Sequence, residues 1–128
     1  MSYYTSKILK VPFDQARVRV EEELGREGFG ILSDIDVQKT LKKKLDVDFK
    51  RYSILGACNP SFAHQALRAE DKIGLMLPCN VVLTEHGESE TEVAAIDPVA
   101  SMLAVDNETL RDISRQVRRK LNAALARL

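Results

Sequence analysis

The chain has 128 residues, 45% of them hydrophobic and 30% charged, a size and balance suited to a single domain, residues 1–128, around one core. Its nineteen basic residues equal its nineteen acidic ones, which removes the positive field that nucleic-acid or anionic-lipid binding draws on, so neither partner is expected. No run of about 18 apolar residues is present to cross a bilayer, and the two cysteines call for no disulfide framework; a cytoplasmic protein with reduced thiols is expected.

In chain order, "YYTSKIL" (3–9) is rich in strand formers. Pro12 then opens a helix that places Phe13, Ala16, Val20 and Leu24 on one stripe, with Gly28 positioned to end it. In "FGILSDIDV" the period-two set Phe29, Ile31, Ile35 and Val37 predicts a half-buried strand with Asp34 and Asp36 on its other face. Val37, Leu41 and Leu45 recur every four residues and predict a short helix with Lys42, Lys43 and Lys44 turned to solvent. "YSILGAC" (52–58) predicts a strand, Asn59 a helix cap, and Pro60 the first residue of the helix "PSFAHQALRAED".

"IGLMLPC" (73–79) reads as the next strand, extended by "NVVLT", with Pro78 implying a sheet edge or a bulge because it has no N–H for the ladder. His86-Gly87 is the expected turn, and "TEVAAID" (91–97) pairs back as a hairpin closed by Asp97-Pro98. "VASMLAV" is an irregular or briefly helical connection. A final helix, capped by Asp106 or Asn107, carries Leu110, Ile113, Val117, Leu121, Ala124, Leu125 and Leu128 along one stripe that should lie across the sheet.

Chemistry concentrates at "GACNPSFAH" (56–64). Cys58-Asn59 and Cys79-Asn80 are the same dipeptide, each read as closing an apolar run. Parallel strands would bring both thiols to one end of the sheet, where sites are commonly built, whereas antiparallel strands would separate them. Cys58 precedes a helix whose dipole favours a thiolate, and His64 lies about one turn inside that helix. Cys58, His64 and Cys79 are thus candidates for an incomplete soft-metal site, or Cys58 for a nucleophile with His64 as proton acceptor. Free cysteine is also a small core hydrophobe, and the chain has no CxxC, HxxxH, EF-hand loop, phosphate-cradling glycine loop or G-x-S-x-G.

The stretches "YSILGACNPSFAHQAL", "IGLMLPCNVVL", "AAIDPVASM" and "EEELGREGFGILSDIDVQKTLKKKLDVDF" together resemble the domain of unknown function 302 family over nearly the whole chain. The resemblance implies a two-layer α+β domain, dimeric, of bacterial or archaeal type, whose recurrent elements correspond to Gly56, Cys58, Asn59, Pro60, His64, Pro78, Cys79, Asn80 and Asp97-Pro98. It implies no reaction and no cofactor.

The expectation is therefore an α+β domain with a mainly antiparallel sheet of roughly five strands covered on one face by the first and last helices. The leading function is the binding of a small molecule or metal ion by Cys58, Asn59, His64, Cys79 and Asn80. The alternatives are a thiol-dependent enzyme or redox protein using Cys58, and a homodimeric interaction protein with no small ligand. A homodimer is expected in any case, because the strand read over residues 73–83 has apolar residues on both faces, Met76 and Val82 opposing Val81 and Leu83.

Overall fold

The computed structural model describes residues 2–128. Its elements run β1 (Tyr4–Leu9), α1 (Phe13–Arg26), β2 (Gly30–Asp36), α2 (Val37–Leu45), β3 (Tyr52–Cys58), α3 (Pro60–Ala69), a 3-10 segment (Asp71–Met76), β4 (Cys79–Gly87), β5 (Glu90–Ile96), α4 (Pro98–Ser101) and α5 (Glu108–Ala126). The strands form one sheet in the order β1-β5-β4-β3-β2, and every neighbouring pair is antiparallel. This is the α+β fold expected from the sequence.

Register explains which side of the sheet is dry. Leu55 pairs with Val81, and Val81 with Ala95, so these three share one face with Ala57, Leu83 and Val93, all buried. The apolar stripes of α1 (Ala16, Val20, Leu24) and α5 (Leu110, Leu121, Ala124) close over that face to make the core. Removing a side chain such as Leu83 or Leu121 from it would cost about 2–5 kcal/mol.

The ends of the helices follow from local chemistry. After α1, Gly28 takes φ 87°, a left-handed geometry that glycine adopts without a Cβ clash. The N–H of Phe29 reaches the Leu24 carbonyl and that of Gly28 the Gly25 carbonyl, the paired bonds of a Schellman turn. At α5 the cap is Asn107, whose Oδ1 accepts from the N–H of Leu110 while its Nδ2 donates to the Ala69 carbonyl at 2.9 Å. One side chain thus caps α5 and fastens the end of α3 to it.

The structure corrects the sequence reading in three places. Residues 73–78 are not strand; 73–76 belong to the 3-10 segment, where Ile73 is buried but Leu75 is 85% exposed, and the strand begins only at Cys79. A continuous apolar run is compatible with either conformation, and here one anchor suffices. In β2 a bulge between Ile31 and Ser33 shifts the phase. Asp34 then faces the helices, where it pairs with Arg17, and Ile35 turns to the opposite face beside Ile54. Lastly, β4 continues through His86 and Gly87 across a second register shift, so the turn falls at Glu88 and Ser89.

Candidate functional site

β3 ends at Cys58 and the chain turns through Asn59 into α3, while β4 begins at Cys79, just after Leu77-Pro78. The register sets Ala57 directly opposite Cys79. The end of one strand therefore meets the start of the next, and both cysteines lie at the same end of the sheet although the strands are antiparallel. The expectation that antiparallel strands would separate the thiols fails because Cys79 opens its strand instead of closing it.

Between this end of the sheet, α3 and the middle of α5 is a cavity of about 300 Å³. That is roughly twice the ~150 Å³ apolar cavity that holds a benzene molecule. Its wall is mostly apolar, Phe29, Phe62, Ala66, Leu77 and Val117 among the side chains, and no Asp, Glu, Lys, Arg or His lines it. The polar groups that do reach it are few: the thiols of Cys58 and Cys79, the Asn59 amide and the Ser114 hydroxyl.

Each of these four has a distinct setting. Cys79 is buried and Cys58 half-buried. Burial, and secondarily the neighbouring Cys58 sulfur, pushes the Cys79 thiol up to about 11, because a thiolate there would lack solvation. Cys79 is thus a neutral wall group at physiological pH, and only Cys58 is open to solvent-borne reagents. Asn59 holds the cap position of α3 by its backbone, but its side chain makes no capping bond. Its Nδ2 instead donates to the Glu27 carbonyl at 3.1 Å, joining the end of α1 to the start of α3.

Ser114 is 2% exposed, and its hydroxyl lies 3.2 Å from the Met102 sulfur, a weak acceptor. Sequence reasoning passed over this serine. The signal was its place within the α5 stripe, between Ile113 and Val117, where a polar residue must face inward.

Two of the expected site residues lie elsewhere. Helical phase puts Phe62, Ala63, Ala66 and Leu67 of α3 on the cavity side and leaves His64 exposed to solvent. Cys58, His64 and Cys79 are accordingly not brought together, and no group of three or more His, Cys, Asp or Glu side chains among the described residues is placed to hold a metal ion. Asn80 follows Cys79 on the strand and points to the other face of the sheet, where it lines a shallow groove with Tyr4, Tyr52 and Val82. No helix among the described residues is long and apolar enough to cross a membrane.

Comparison with known proteins places this geometry. No curated protein matches the chain. A crystal structure of an uncharacterized conserved DUF302 protein from Bacillus stearothermophilus is similar at 26% sequence identity, with a TM-score of 0.90 over 99% of this chain and 98% of that one. Residues 4–128 match the family described as domain of unknown function DUF302, and with all five strands and both long helices inside the matched span, the chain belongs to the DUF302 family.

Proposed function

We propose that this chain is a binding domain that encloses the apolar body of a small molecule in the cavity beside Cys58 and Cys79. The observation that carries the reading is the composition of the wall: a space of about 300 Å³ lined almost wholly by apolar side chains, with two thiols, one hydroxyl and one amide. Ligand sites are commonly concave and apolar with a few placed polar groups. The absence of lining charge selects against a ligand that buries an ion there, since an unpaired charge in such a space is strongly disfavoured. Naphthalene, a neutral two-ring probe, should bind the full chain and raise its melting temperature by mass action. Ala63→Phe, which projects a ring into the space, should abolish the shift. No shift with the unsubstituted protein at saturating naphthalene would refute the reading.

A thiol-dependent activity at Cys58 is the second reading, favoured by one observation: Cys58 is the more exposed of two thiols lining a single apolar space. In that case the cavity would bind the apolar part of a substrate and Cys58 would be the nucleophile. Alkylation of Cys58 at a rate well above that of a free thiol, blocked by naphthalene, would support it; a free-thiol rate indifferent to naphthalene would remove it.

The domain is also proposed to work as a homodimer in the cytoplasm. The support is the sheet face away from α1 and α5, where Ile54 and Val82 are half-buried and Tyr4, Ile8 and Ile35 are 42%, 42% and 48% exposed. A second copy covering this face would remove the apolar surface from water. Two free thiols, one accessible, suit a reducing compartment.

A further inference from the structure

A second cavity, of about 210 Å³, lies beside Met102 and Ser114, between α4 with the segment that follows it and the N-terminal half of α5. Met102 and Ser114 line both spaces. They form the partition, with the Ser114 hydroxyl holding the Met102 sulfur at 3.2 Å. A thioether on an unbranched chain is among the most easily repositioned side chains in a protein interior, and its only bond here is weak. The two spaces differ sharply in electrostatics. The inner one has no charged group on its wall, whereas the outer one is lined by Arg111 and Arg115, one turn apart on α5.

We infer that the two cavities are one bent channel gated by Met102, and that its ligand is an amphiphile with an anionic head: the apolar chain occupies the inner cavity beside the thiols, and a carboxylate sits at the outer mouth on Arg111 and Arg115. The inference rests on the binding reading above and names the ligand class for that site. Arg111 pairs with Asp106 and Glu108, and Arg115 with Asp112. All three pairs are largely exposed, and such pairs contribute little, so an arriving carboxylate can exchange with them. An arginine on a carboxylate makes directed, charge-assisted bonds, while every methylene of the ligand taken out of water adds to the affinity.

The test is titration calorimetry of the full chain with three probes at submicellar concentration: dodecanoate, 1-dodecanol and naphthalene. Dodecanoate should bind at least roughly tenfold tighter than 1-dodecanol, the size of one charged hydrogen bond. Arg111→Gln/Arg115→Gln should bring acid and alcohol to the same affinity. Asp112→Asn, which removes a competing anion, should tighten dodecanoate and leave the alcohol as it was. Equal affinities of acid and alcohol in the unsubstituted protein, with naphthalene bound, would overturn the channel while leaving the inner cavity as a binding site. Failure of all three probes to bind would overturn both.

Discussion

The Asn59 side chain donates from Nδ2 to the Glu27 carbonyl at 3.1 Å, so the residue that begins α3 also holds the end of α1. The same amide rests against Gly28, where a Cβ would come within 3.0 Å of it. Asn59→Ala should lower stability in urea unfolding by about 1 kcal/mol, the ordinary cost of such a bond. Asn59→Asp should cost more at neutral pH, since a carboxylate only accepts and would face a carbonyl. Equal stability of the three proteins would show that the bond does not tie α1 to α3.

Gly56 lies where Ser33 and Pro78 converge on the sheet face away from the helices. A Cβ built there would stand 2.2 Å from Ser33 Oγ and 2.6 Å from Pro78 Cγ. Gly56→Ala should therefore destabilise by about 1–3 kcal/mol through overpacking. Ser33→Gly in that background should restore only part of the loss, because the proline contact persists. Full restoration would assign the whole strain to Ser33.

The Cys79 thiol is held up to about 11 by burial, and the sign of its pH effect follows. The folded state keeps its proton more tightly than the unfolded chain, so this contribution is complete below pH 9 and is lost as pH rises from about 9 to 11. It amounts to about 3 kcal/mol at most. Unfolding measured at pH 8 and pH 10.5 should show a smaller alkaline loss for Cys79→Ala than for the parent. Alkylation between pH 7 and 9 should label Cys58 well before Cys79. Faster labelling of Cys79 would contradict its burial.

Light scattering at micromolar protein should report twice the 14.3 kDa chain mass, with an interface of at least about 1,000 Å² in total. Val82→Lys places a charge at the centre of the open sheet face and should yield monomers. A parent protein monomeric at every concentration would remove the dimer.

The fold was legible where periodicity was unbroken. The α5 stripe from Leu110 to Leu125 assigned an element and its buried face correctly, and the strand expected over 52–58 is β3. It failed where geometry changed phase without a composition signal: the β2 bulge redirected Ile35, and the 3-10 segment replaced the strand expected over 73–76. The candidate site was legible in part. Cys58, Asn59 and Cys79 do line one cavity, but the reason is a register between strand ends that no local pattern encodes. His64 and Asn80 were assigned by proximity in sequence, and helical phase and strand alternation carry both away from the thiols. The wall itself, with Phe29, Phe62 and Val117 drawn from three distant segments, arises only from packing.

Entry of a ligand into the space beside the two thiols can be followed residue by residue. Its most direct test is the amide ¹H–¹⁵N spectrum of the protein titrated with naphthalene. Saturable shifts should concentrate at Cys58, Phe62, Ala66 and Val117, with Tyr4, Val82 and Ala94 on the opposite face unmoved. Shifts confined to Tyr4, Val82 and Ala94, or none at saturation, would contradict it.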